Sequence, residues 1–196
     1  MATDDKALVK KFKDGDRHAF DLLVSGNKRK LYSAIYRMTR NHQITDELLQ
    51  ETFLKLYRNV NKYDDSYPFY PWLHRIAINT AINHLKKEKK RRRDSSLEQE
   101  MEEHYMQPSD TRNPHQPEVA FVRRERDVKI LEALQEISPS YRAALILRVF
   151  QGLSYREIAD VLDCTVGTVM SRLNRARSQM KDLLSGYLSD GPEKNK

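Results

Sequence analysis

Five side chains in one stretch of the chain have the types and spacing of a nucleic-acid reader. Arg75, Asn79, Asn83, Lys86 and Lys90 follow one another at intervals of 4, 4, 3 and 4, so a helix would carry them on one face. The last turns of that helix hold Lys86, Lys87, Lys89, Lys90, Arg91, Arg92 and Arg93. Asn side chains can hydrogen-bond base edges while Lys and Arg neutralise phosphates. Just upstream, Tyr67, Phe69, Tyr70 and Trp72 offer rings on which unpaired bases could stack. Each part has a plainer reading. A basic helix end also arises as a solvated terminus favoured by the helix dipole, and Trp72 suits a core position as well as a platform. The combination points to single-stranded or melted nucleic acid.

A second constellation lies near the C-terminus. Ser154-Tyr155-Arg156-Glu157 has the form of a capping box. Ile158, Ala159 and Leu162 would form the inner face of the short helix that follows. Asp163-Cys164 makes a tight turn, with Cys164 a small apolar filler, and Thr165 can cap the next helix. There Val169, Leu173, Ala176, Met180 and Leu183 recur at intervals of 4, 3, 4 and 3 as an inner stripe. Thr168, Ser171, Arg172, Arg175 and Arg177 fall on the outer face. Two helices joined by a tight turn, the second rich in arginine, have the pattern of a helix-turn-helix.

The elements that must position these groups read as helices throughout, with no convincing strand alternation. Ala19, Leu22 and Leu23 begin one apolar stripe, continued by Leu31, Ile35 and Met38. Thr45 is read as the N-cap of a following helix with Asp46 and Glu47 in its first turn. Leu49, Phe53, Leu56, Tyr57 and Val60 are its inner stripe, and Glu47, Gln50, Glu51 and Arg58 its outer face. A turn over 64–70 leads to Pro71 at a first helical position. In the second module Ile130, Leu134 and Ile137 close one helix. Ser138-Pro139 opens another with Tyr141, Leu145 and Val149 on one face, and Gly152 lies just past its end. The expected fold is all-α: two small helical domains, the C-terminal one containing the helix-turn-helix.

Charge divides the chain in the same way. The 196 residues carry a net +7 with a pI near 9.4, which points toward a polyanion. Residues 1–93 hold 21 basic and 11 acidic side chains, 94–118 hold 1 and 7, and 119–196 hold 13 and 10. The acidic middle also holds Pro108, Pro114 and Pro117 and has no apolar periodicity, so 94–118 reads as a flexible linker. Such a tether reaches at most ~80 Å and averages roughly 25–30 Å, enough for two modules to dock on separate sites of one large target.

Other function classes find little support. A single cysteine excludes an internal disulfide and cysteine-rich zinc frameworks. His18, His42, His74, His84, His104 and His115 are scattered without metal-ligand spacing. No phosphate-binding GxxxxGK[ST] loop or GxSxG nucleophile elbow occurs. Neither catalytic residues, nor a metal, nor a cofactor is expected. No apolar run approaches the ~20 residues of a membrane span, and 1–16 lack the apolar stretch of a signal peptide. Insertion in the membrane is therefore not expected, and the simplest location is the cytoplasm.

These stretches resemble an extracytoplasmic-function (group IV) sigma factor of bacterial RNA polymerase. TDELLQETFLKLYRNVNKYD is similar to the family's region 2 helix, and YPFYPWLHRIAINTAINHLK to its promoter-melting helix with the loop before it. LQEISPSYRAALILRVFQGLSYREIADVLDCTVGTVMSRLNRARSQMKDLL is similar to region 4. The resemblance covers about 15–93 and 120–185, in family order. It implies that Asp46, Glu47, Gln50 and Glu51 face the clamp coiled coil of the polymerase β′ subunit. It implies that the loop Tyr67–Tyr70, with Asn79 and Asn83, holds a base flipped from the −10 element, flanked by Trp72 and Arg75. Flipping costs a few kcal/mol, which stacking and base-edge bonds can return. Lys86, Lys87 and Lys90 would then grip phosphates. The helix from Thr165 would enter the −35 major groove, with Ser171, Asn174 and Arg175 facing bases, Arg172 and Arg177 on phosphates or in packing, and Thr168 beside them. The resemblance further implies core polymerase (β′ clamp and β flap), promoter DNA and an anti-sigma factor, often membrane-anchored, as partners. Three positions depart from the family pattern: Met170 where many relatives have Lys or Arg, Asp163 where the turn often has Gly, and Asn83 where Asp is frequent. A conventional helix-turn-helix regulator acting without core polymerase is the rival reading.

Overall fold

A computed structural model describes residues 5–95 and 117–189; the greater part of the expected linker, 96–116, lies outside the described residues. Every regular element described is helical: α1 (Asp5–Lys13), α2 (Arg17–Thr39), α3 (His42–Asn59), a 3₁₀ turn (Val60–Lys62), α4 (Phe69–Ser95), α5 (Pro117–Glu136), α6 (Pro139–Val149), α7 (Tyr155–Leu162) and α8 (Val166–Ser189). No helix among the described residues is long and apolar enough to cross a membrane.

The first module packs α1, α3 and α4 around α2. Ala19, Leu23, Leu31, Ile35 and Met38 form the buried stripe of α2, as their spacing predicts, whereas Leu22 stands 40% exposed. α1 had no strong signal in sequence, yet it buries Leu8, Val9 and Phe12. Phe12 joins Phe20 and Tyr57 in an aromatic trio with centroids 5.1–5.3 Å apart. Tyr57 thus lies at the rim of the core, 46% exposed.

Two helix starts differ from the sequence expectation. Asn41, not Thr45, caps α3: its backbone is extended and its side chain accepts from the Ile44 amide at 3.0 Å. Thr45 is fully buried one turn further on, its hydroxyl donating to the Asn41 carbonyl at 2.6 Å, so Asp46 and Glu47 fall in the second turn. α4 begins at Phe69 rather than Pro71. A proline in the first turn costs little, because the first four amides of a helix have no intrahelical acceptor.

In the second module α6 is buried nearly all round. Six consecutive residues, Arg142 to Leu147, are inaccessible, while Val149 points out with 58% exposure. One inner face had been expected; α6 has several because it packs on α7 and α8 and also on α2 and α4. The two modules are docked: α4 lies against α6 and α7, and α2 against α5 and α6.

The joint is rich in polar groups. Arg142 is buried and donates to the carbonyls of Met38, Gln135 (2.5 Å) and Ile137 (3.0 Å) and to Gln135 Oε1 (2.6 Å). Gln135 Nε2 donates to the Arg37 carbonyl at 3.2 Å. Both Arg37 and Met38 lie in the last turn of α2, whose free carbonyls carry the negative end of the helix dipole. The second module therefore caps α2 of the first. Burial lowers the Arg142 pKa to about 10, so the guanidinium stays charged at neutral pH.

Candidate nucleic-acid interface

The Asn face of α4 does not stand alone. Its middle turns run beside α3, and between them lies an open cavity of about 320 Å³ lined by Trp72, Arg75, Ile76, Asn79, Thr80 and Asn83 from α4, and by Lys55, Asn59 and Lys62 from α3 and the 3₁₀ turn. An adjoining depression shares Lys55, Thr80 and Asn83 and continues to Glu51, His84, Lys86 and Lys87. The trough brings Trp72, Arg75, Asn79, Asn83, Lys86 and Lys87 into one continuous polar, mostly cationic surface. Lys90 continues it as an exposed residue further along α4.

Lys55, Asn59 and Lys62 were missed in sequence. Their intervals of 4 and 3 were visible, but nothing in the pattern told which wall of α3 would meet α4. Lys55 is held in place: Nζ lies 2.9 Å from Thr80 Oγ1 and 2.7 Å from Glu51 Oε1.

The aromatic group divides. Tyr67 is 60% exposed and free to stack, while its carbonyl accepts from the Tyr63 hydroxyl at 2.5 Å. Phe69 is 2% exposed and packs edge-on against Tyr63 at 5.5 Å, so the first residue of α4 belongs to the core and offers no face to a base. Trp72 has two roles, packing on Tyr63 at 5.0 Å on one side and lining the cavity on the other. Tyr70 is half-buried in the joint: its hydroxyl donates to Gln151 Oε1 at 2.8 Å and Lys30 Nζ sits 5.0 Å over its ring.

Beside Tyr70, His74 is fully buried, with Nδ1 3.0 Å from the Tyr70 carbonyl and Nε2 3.2 Å from Gln151 Oε1. Two oxygen neighbours would suit an imidazolium. Burial outweighs them and pushes the pKa down to about 4, so the ring is neutral at pH 7. The neutral ring carries one N–H, which serves either the Tyr70 carbonyl from Nδ1 or Gln151 Oε1 from Nε2. Next along α4, Arg75 reaches the turn of the second module, 3.6 Å from Asp163.

That turn is built locally. The capping box is complete: Glu157 N donates to Ser154 Oγ at 3.3 Å, and Ser154 N donates to Glu157 Oε2 at 2.7 Å. Asp163 adopts the left-handed conformation at φ 49°, ψ 58°, which Asp tolerates better than most residues. Thr165 accepts from the Thr168 amide at 3.1 Å, and the two hydroxyls pair at 2.9 Å. Val169, Leu173 and Ala176 are buried beneath α8; Leu183, expected in the same stripe, is 46% exposed because the last turns of the helix run past the packed module. Ser171, Asn174, Arg175 and Arg177 are exposed. Arg172 is half-buried, with Nη1 3.7 Å from Cys164 Sγ, and so closes the turn. Arg175 donates to the Tyr141 hydroxyl at 2.9 Å, which aims its guanidinium along the outer surface.

The acidic outer face of α3 forms a third surface. Asp46, Glu47, Gln50 and Glu51 are all exposed. Gln43 donates to Glu47 at 3.3 Å.

The family model for Sigma-70 region 2 matches residues 23–91, the module with the trough, and that for Sigma-70 region 4 matches 127–180, the module with the turn. The RNA polymerase sigma-H factor of Pseudomonas aeruginosa is 38% identical over 95% of this chain and 96% of its own length. The chain belongs to the sigma-70 family, in its extracytoplasmic-function group. The ECF RNA polymerase sigma-E factor of Haemophilus influenzae is 35% identical over 91% of this chain and 94% of its own. The fold recurs in CnrH in complex with the cytosolic domain of CnrY, at a TM-score of 0.66 and 22% identity over 94% of this chain and 99% of that one. It recurs again in the sigma factor RpoE of Bartonella quintana in complex with the anti-sigma factor NepR, at 0.65 and 22% over 85% and 96%. As a sigma factor, the protein directs RNA polymerase to promoters and starts transcription there; the rival reading of a regulator working without polymerase is not favoured. Sigma factors are initiation factors rather than catalysts.

Proposed function

We propose a division of labour within this sigma factor. Residues 1–93 bind core polymerase and melt the −10 element, 119–196 recognise the −35 element, and the acidic 94–118 joins them. Asp46, Glu47, Gln50 and Glu51 meet the β′ clamp, since an exposed acidic face suits a basic helical partner. Asn79 and Asn83 take base edges in the trough, Trp72 and Tyr67 stack on bases, and Lys86, Lys87 and Lys90 hold phosphates, with Lys55 and Lys62 added on the opposite wall. The second module meets the duplex with Thr165, Thr168, Ser171, Asn174, Arg175 and Arg177, and the β flap with another face. The single observation that carries the reading is the trough itself, where an indole, three asparagines and three cations line a space of about 320 Å³ and Lys86 and Lys87 line the depression beside it.

The docked arrangement is a resting form. Arg75 in the trough and Asp163 in the turn lie 3.6 Å apart. Elements named for positions −10 and −35 are separated by about 85 Å of duplex at 3.4 Å per base pair. Both can be engaged only after the modules part. An anti-sigma factor that covers both modules would hold the protein inactive in the cytoplasm, a reading supported by the anti-sigma factor named as the partner of the Bartonella quintana relative. The protein acts by binding, without turnover of its own.

Asn79→Ala tests the reading. The variant is expected to bind core polymerase normally and to lose permanganate reactivity of promoter thymines. Unchanged reactivity would remove the trough from melting.

A further inference from the structure

Along the first four turns of α8 the outer surface is polar except at one place. Met170 is 56% exposed and Val166, one turn before it, 38% exposed. Residues four apart on a helix share a face, so the two side chains form a small apolar step at the N-terminal end of α8. Nothing inside the protein requires them there, because the inner stripe is supplied by Val169, Leu173 and Ala176, all buried. Gly167 adjoins the step. A Cβ added to it would meet only Thr165 Oγ1, at 3.8 Å, so no internal crowding explains a glycine in this first turn. A bare backbone at this position allows an outside surface to approach closely.

The neighbours define what that surface is. Asn174, Arg175, Arg177, Ser178 and Lys181 line an open depression two turns along the same helix, and a cationic rim selects a polyanion over an apolar protein partner. In a major groove the one apolar feature offered by base edges is the C5-methyl of thymine. We propose that Met170, backed by Val166, is a specificity-determining contact of this sigma factor that reads a thymine methyl in the −35 element. The thioether is unbranched and polarisable, so it can follow the methyl without fixing a hydrogen-bond register. The inference rests on the reading that α8 enters the −35 duplex.

The test uses holoenzyme assembled from core polymerase and the full chain. Selection from promoters randomised across the −35 region first gives the preferred sequence. Each thymine of that element is then replaced by uracil, which lacks only the methyl. At one thymine or two adjacent ones, uracil is expected to weaken wild-type binding about fourfold, the worth of one buried methyl. Met170→Ala should bind the thymine promoter about as weakly as wild type binds the uracil one, with no further loss on uracil. Because Met170 is exposed, the fold should survive, and circular dichroism checks this. Met170→Arg should move the selected base at that position toward guanine. Uracil tolerated at every position by wild type, a preferred element without thymine, or a full uracil penalty in Met170→Ala would each overturn the contact while leaving −35 recognition intact. A holoenzyme that selects no −35 sequence at all would overturn the underlying reading as well.

Discussion

The trough of the first module and the turn of the second, the two surfaces proposed to meet nucleic acid, are built differently. The trough needs two helices, α3 and α4, pressed together by a shared core, and the first turns of α4 also form the joint with the second module through Tyr70, His74 and Arg75. The turn is assembled from about fifteen consecutive residues, and α8 packs on α5, α6 and α7 of its own module. A surface made by tertiary packing is exposed to whatever happens at the joint. One made by local caps touches the joint through α7, which lies against α4, but its reading helix α8 rests on its own module.

The largest test of this contrast is at the joint. Arg142→Met keeps much of the buried volume but leaves the carbonyls of Met38, Gln135 and Ile137 without their donor. At about 1–3 kcal/mol for each orphaned buried group, a loss of at least about 3 kcal/mol is expected, read as a lower midpoint in urea unfolding. The α2 end of the first module should show the earliest loss of amide-exchange protection. Simultaneous loss throughout α8 would break the contrast.

Acid should act at the same place through His74. Unfolded, the ring takes up a proton near pH 6.5; in the fold it does so only near pH 4. Between those values the unfolded chain binds more protons, so stability rises with pH. The contribution is fully present above pH 6.5 and fades as pH falls toward 4, costing about 2 kcal/mol by pH 5. Lys30 on α2 adds to the penalty for charging the ring. Urea midpoints at pH 7.5 and pH 5 should differ more for the wild type than for His74→Phe, and an identical pH slope in both would acquit His74.

The smallest effect belongs to the local surface. Ser154→Ala removes one side-chain cap from α7 and should cost about 1 kcal/mol. It should loosen binding to a −35 duplex without changing affinity for a single-stranded −10 oligonucleotide. Equal losses on both would show that the two surfaces are coupled more tightly than their construction implies.

The same difference governs what could be read without coordinates. The caps at Ser154 and Thr165, the left-handed Asp163 and the inner stripe Val169–Leu173–Ala176 depend on neighbours within one or two turns, and each is visible as spacing. The helical register of α4 was legible for the same reason. Phe69 faces the core because α4 starts two residues before Pro71, and no local pattern marks that earlier start. Asn41 displaced Thr45 as a cap because both are good caps and only the packing of Thr45 against Thr39 chooses between them. Lys55, Asn59 and Lys62 were hidden because their role depends on where another helix lies. The burial of His74 and Arg142 was hidden for a stronger reason, since it arises from contact between modules joined by residues 96–116.

Trp72 gives the molecule an intrinsic optical reporter. It is the sole tryptophan of the chain, half sunk against Tyr63 and half facing the trough. Indole emission shifts with the polarity around it and is quenched when a base stacks on it. The unlabelled protein therefore carries one indole at the proposed point of strand entry, and its colour and intensity can be followed in real time as a single-stranded oligonucleotide binds to the isolated chain.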